Sequence, residues 1–100
     1  MKNASESAEK KKHRTNECTR IAISKSMVAY AEGGGEGCEF DQKTGEPYMS
    51  HQLLADLYGC TLVYAKFITK HGVHSIMAVE KLCEIFNIKK SEFMALGESS

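Results

Sequence analysis

Apolar residues return along this chain at intervals of three, four and seven, the spacing of one helix face, in five successive clusters. Asn16 is placed to cap a first helix in which Ile21, Ile23, Met27, Val28, Tyr30 and Ala31 repeat until Gly33, Gly34 and Gly35 break the pattern. Residues 33–49 are rich in Gly and turn formers and include Pro47. They predict a long loop with a turn at Lys43-Thr44-Gly45 and room for a small hairpin. Ser50 caps a short second helix with Leu53, Leu54, Leu57 and Tyr58 on one face and Gly59 at its end. Residues 61–70 predict a third helix, apolar on more sides than a surface helix requires, and Gly72 ends it. Ser75 then caps a fourth, with Ile76, Val79, Leu82, Cys83 and Phe86 inward and Asn87 closing it. Ser91 caps a fifth, with Phe93, Met94 and Leu96 before Gly97. The expectation is an all-α domain of five helices over residues 15–98, preceded by an arm at residues 1–14 that is too polar to bury anything.

Length sharpens this picture. One hundred residues, 42% of them hydrophobic, make one small domain. Such a chain buries roughly 60 to 70% of its unfolded surface, which leaves no space for a deep substrate cavity and argues against an enzyme. The longest uncharged stretch, from Leu57 to Ala65, is far shorter than the roughly 18 apolar residues of a membrane span. The polar opening MKNASESAEKKKHR lacks the apolar run of a secretory signal, so a cytoplasmic protein with reduced thiols at Cys18, Cys38, Cys60 and Cys83 is expected.

Net charge is zero but unevenly laid. Residues 1–30 carry seven Lys and Arg against three Glu, residues 31–58 carry six Asp and Glu against Lys43 alone, and the remainder is nearly balanced. Nucleic-acid binding would therefore rest on local patches.

The step between the second and third helices carries the strongest functional signal. Two short helices crossing steeply need a small side chain where their backbones meet, which Ala55 supplies, and a positive φ in the turn, which Gly59 adopts without strain. Leu54, Cys60, Ala65 and Ile68 then fill the wedge. Here residues 50–97 resemble the Cro/C1-type, lambda-repressor-like helix-turn-helix family. HQLLADLYGCTLVYAKFITKHG is similar to its second and third helices and SIMAVEKLCEIFNIKKSEFMALGE to its fourth and fifth, although the loop before the second helix is much longer than is usual in the family.

The resemblance implies a sequence-specific transcriptional regulator, a repressor acting as a homodimer on duplex operator DNA and needing no cofactor. Its base-reading positions fall on Thr61, Leu62, Val63, Lys66 and Phe67. Phosphate contacts fall on Ser50, His51, Gln52, Lys70, His71, His74 and Ser75, with Lys10, Lys11, Lys12 and Arg14 as a wrapping arm. Phe93, Met94 and Leu96 are the expected dimer contacts. The usual Arg, Gln and Asn base readers are missing, and a 100° step per residue turns Val63, Lys66, Phe67 and Lys70 outward.

Outward Val63 and Phe67 keep open an alternative, a protein-interaction module of the same fold, antitoxin-like or anti-repressor, that docks its third helix on another protein. His71 and His74 lack the accompanying Cys or His pair of a metal site, and no metal is expected. The glycine run has no Lys-Ser/Thr of a phosphate loop, and no Cys or His sits in a nucleophile elbow.

Overall fold

A computed structural model describes residues 15–98; the arm expected at residues 1–14 lies outside the described residues. The chain runs through α1 (Glu17–Glu32), β1 (Glu39–Phe40), β2 (Pro47–Tyr48), α2 (His51–Tyr58), α3 (Leu62–His71), α4 (Ile76–Phe86) and α5 (Lys90–Glu98). The described part is thus mostly helical.

Local chemistry sets most boundaries. The side chains of Asn16, Ser50, Thr61 and Ser75 accept hydrogen bonds from the N–H groups of Thr19, Leu53, Tyr64 and Ala78, capping α1 to α4. Gly59 ends α2 at φ 84°, ψ 37°, with its own N–H and that of Cys60 on the Ala55 carbonyl. Asn87 takes the same left-handed conformation after α4, where the N–H of Ile88 returns to the Cys83 carbonyl. The long loop contains the small antiparallel hairpin, pairing Glu39 with Tyr48 and Phe40 with Pro47. The Asp41 carboxylate accepts the N–H groups of Lys43 and Thr44 at 2.8 and 3.0 Å and holds its turn.

The fifth helix departs from expectation at both ends. It starts at Lys90, and Ser91 is inside it. The starting N–H is taken by Glu92, whose carboxylate accepts from Lys89 at 3.0 Å. Gly97 is not a terminator but a buried helical residue, and a Cβ there would collide with the backbone carbonyl of Cys18. Phe93 has no exposed surface and is a core residue, which removes it as a dimer contact. Met94 and Leu96 are half-buried against that core.

The core joins Ala22 and Ile23 of α1, Leu54 and Ala55 of α2, Ala65 and Ile68 of α3, Val79 and Leu82 of α4 and Phe93 of α5. Its α1 face differs from the apolar repeat. Thr19, Ala22, Ile23, Ser26 and Ala31 are buried, whereas Val28 is exposed. Part of the reason is proximity: α1 packs most extensively on α5, where Gly97 meets Cys18, and Gly72 meets Asn16 and Thr19, so small groups occupy those points while Ile23 fills the core. Leu57 of α2 and Ile76 of α4, also expected inward, are exposed, since Ala55 and Ala78 occupy those inner positions.

A polar latch fixes α3 to α1. The buried Thr19 hydroxyl accepts from the Val73 N–H and donates to the Val73 carbonyl, both at 2.9 Å, while the Asn16 N–H donates to the His71 carbonyl at 2.8 Å. Gly72 stands between them at φ 77°, ψ −171°, where a Cβ would strike the Asn16 carbonyl and Thr19 Oγ1. Among the described residues no helix is long and apolar enough to cross a membrane.

Candidate nucleic-acid interface

The three residues Gly59, Cys60 and Thr61 join α2 to α3. Ala55 is fully buried where the two helices meet, and Ala65 and Ile68 turn α3's inner face into the core. The opposite face is outside. Val63 is 77% exposed, Lys66 and Lys70 are exposed, and Phe67 is 37% exposed. These four lie at i, i+3, i+4 and i+7 and form one stripe of alternating apolar and cationic character.

Each remaining candidate has a defined place. Thr61 is the α3 cap, so its hydroxyl already accepts the Tyr64 N–H, and Leu62 borders the stripe at 37% exposure. Ser50 and Ser75 likewise serve as caps. Exposed His51 bonds through Nε2 to Thr69 Oγ1 at 3.1 Å, pinning the start of α2 to α3, and Gln52 donates to Asp56 at 2.9 Å. His71 is half-buried, with Nδ1 on the Thr15 hydroxyl at 3.1 Å; Lys70 and His74 are exposed near the end of α3. Lys10, Lys11, Lys12 and Arg14 lie outside the described residues. Of the dimer candidates, Met94 offers its carbonyl to the Cys18 thiol and Leu96 offers its own to Lys25.

Sequence reasoning overlooked an aromatic row along one flank of α3. The ring of Tyr64 lies 5.8 Å from that of Tyr58 and 6.4 Å from that of Phe67, and Phe67 continues to the His71 ring at 4.8 Å. The signal was available, because positions 64, 67 and 71 share a helical edge. Burial and the neighbouring Tyr64 push the Tyr58 phenol up to about 12, and the Lys81 ammonium sits 4.8 Å over its ring. Burial also pushes the Cys60 and Cys83 thiols above their ordinary range, so both behave as small apolar groups at neutral pH.

Electrostatically the two flanks of α3 differ. No Asp or Glu occurs from Leu57 to Val79, a stretch that contains Lys66, Lys70, His71 and His74. On the other side, Glu32 and Glu46 line a groove with His51 and Thr69, and their charges oppose an anion at His51. Chemically, the arrangement offers an exposed apolar helix face carrying two ammonium groups that form no ion pair among the described residues. No protein-family model, no curated protein and no solved structure matches the chain.

Proposed function

We propose that this protein is a Cro/C1-type helix-turn-helix regulator that binds specific duplex DNA through α3 and represses transcription as a cytoplasmic homodimer. The observation that carries the reading is the outward stripe Val63, Lys66, Phe67 and Lys70 on a helix set off by the left-handed Gly59, within a stretch free of carboxylates. Lys70, His74 and the N–H groups following the Ser75 cap are suited to the phosphates beside the groove. The basic residues Lys10, Lys11, Lys12 and Arg14 join the fold through Thr15, whose hydroxyl bonds the His71 ring at the end of α3. Their charge suits an arm along the same duplex. A single module this small makes few contacts, and a two-fold pair doubles them, with Met94 and Leu96 as the remaining contact candidates.

A mobility-shift titration against random-sequence duplex at two salt concentrations tests the reading. Binding should weaken steeply with salt, and Lys66→Ala and Lys70→Ala should each lower the logarithmic salt slope by about 0.9 if each ammonium meets one phosphate. Salt-insensitive binding, or none, rejects it. A protein-interaction module is the second reading, favoured by Val63, Ile76 and Met77 at 77%, 63% and 79% exposure. It gains if a cognate polypeptide binds these residues and duplex DNA does not.

A further inference from the structure

If α3 enters the major groove, its side chains restrict what it can read there. From Leu62 to His71 it has no Arg, Asn, Gln or Ser. Its flanking hydroxyls are already committed, Thr61 Oγ1 to the Tyr64 N–H and Thr69 Oγ1 to the Lys66 carbonyl and His51. The planar guanidinium and amide groups that fix guanine or adenine by two coplanar hydrogen bonds are therefore missing from α3, and only its two ammonium groups can donate to guanine O6 and N7. Lys66 and Lys70 remain as point charges, which guanine acceptors and phosphates both satisfy.

What the stripe does offer is apolar surface. Val63 stands out at 77% exposure, Leu62 borders it, and the ring of Phe67 is held between those of Tyr64 and His71. The major-groove edge of DNA has one apolar group, the C5 methyl of thymine. Covered by Val63 or Phe67, a methyl leaves water favourably. Covered by the same side chains, the exposed donors and acceptors of a G·C pair lose water and gain no partner. Attraction and rejection thus point the same way.

Resting on the DNA-binding reading above, we propose that α3 selects its site chiefly through thymine C5 methyl groups contacted by Val63 and Phe67, with Lys66 and Lys70 supplying affinity without base choice. The two apolar groups are one turn apart, about 6 Å along the helix, against about 3.4 Å between stacked base pairs. The preferred methyls therefore lie about two base steps apart.

Two synthetic duplexes isolate the effect: poly(dA-dT) and poly(dA-dU) share charge, pairing pattern and minor-groove groups and differ in the methyl. Measured by the full chain at one salt concentration, affinity for the thymine polymer should exceed that for the uracil polymer by about fourfold for each methyl covered. Val63→Ala and Phe67→Ala should shrink that ratio, with circular dichroism verifying that each variant is folded. Lys66→Ala should weaken both polymers by the same factor. Equal, salt-sensitive binding to both polymers overturns methyl selection and leaves DNA binding standing. A ratio untouched in folded Val63→Ala and Phe67→Ala overturns the assignment to these two side chains. Absence of binding to either polymer and to random duplex overturns both proposals.

Discussion

Helices α1 and α3 both leave apolar side chains in solvent, but only α1 also buries hydroxyls. The first buries the hydroxyl side chains of Thr19 and Ser26 and leaves Val28 in solvent; the other buries Ala65 and leaves Val63 and Phe67 outside. In α1 the inversion has a structural cause. The helix meets α5 where Gly97 touches Cys18 and the α3–α4 connection where Gly72 touches Thr19, points at which the backbones come so close that only small groups enter, and Thr19 repays its burial with two bonds to Val73. No such cause acts on α3. Val63 points away from the core, so folding does not require it to be apolar. The difference separates a face shaped by packing from one open to a partner.

The contrast can be broken most severely at Gly72. Gly72→Ala puts a Cβ against the Asn16 carbonyl and Thr19 Oγ1 in a backbone conformation that favours glycine, and should cost about 3–5 kcal/mol in urea unfolding. Thr19→Val keeps the shape but leaves the Val73 N–H and carbonyl without their partner; a loss of about 2–3 kcal/mol is expected by the same measurement. Ser26 sharpens the comparison, because its buried Oγ has no hydrogen-bond partner among the described residues. Ser26→Ala should therefore be neutral or raise stability by up to about 1 kcal/mol, and a clear loss would mean that the hydroxyl is satisfied in solution.

On the α3 side, Val63→Ala should change the unfolding free energy by less than about 0.5 kcal/mol while weakening the DNA binding proposed above, which calorimetric unfolding and a binding titration check together. The smallest effect concerns the hairpin. The N–H groups of Thr44 and Lys43 hold the Asp41 carboxyl below its ordinary value. Because the folded-state value is the lower one, its contribution is present above the unfolded value of 3.8 and disappears as pH falls through the folded one. Amide shifts of Lys43 and Thr44 should stay constant near neutrality and move only at strongly acid pH.

Short-range chemistry was the most legible part of the sequence. Asn16, Ser50 and Ser75 are caps where their side chains and spacing predict, and Gly59 and Asn87 adopt left-handed conformations because neighbouring helix ends need them. Inner faces were less legible. Hydropathy selected Val28 over Thr19 and Ser26, since periodicity cannot register that the backbone at Gly72 passes too close to Thr19 for a large side chain or that Val28 faces away from the core. For the same reason Gly97 resembled a helix terminator, although its function is close approach inside α5. Ile76 fits the apolar face of α4 by spacing yet is exposed, because Ala78 and Val79 are the residues of that first turn that face the core. The outward stripe of α3 followed from Ala65 and Ile68 alone. Tyr64, Phe67 and His71 share an edge by the same spacing, but Tyr58 joins their row only once the Gly59 turn folds α2 back.

The meeting of α1 and α5 has a further consequence during synthesis. Phe93 supplies a large, fully buried side chain, and Gly97 closes on Cys18, so the core to which α1 contributes is completed by residues translated after α1 to α4. A chain ending before α5 would lack the ring that fills this core and should leave the apolar side chains around it exposed.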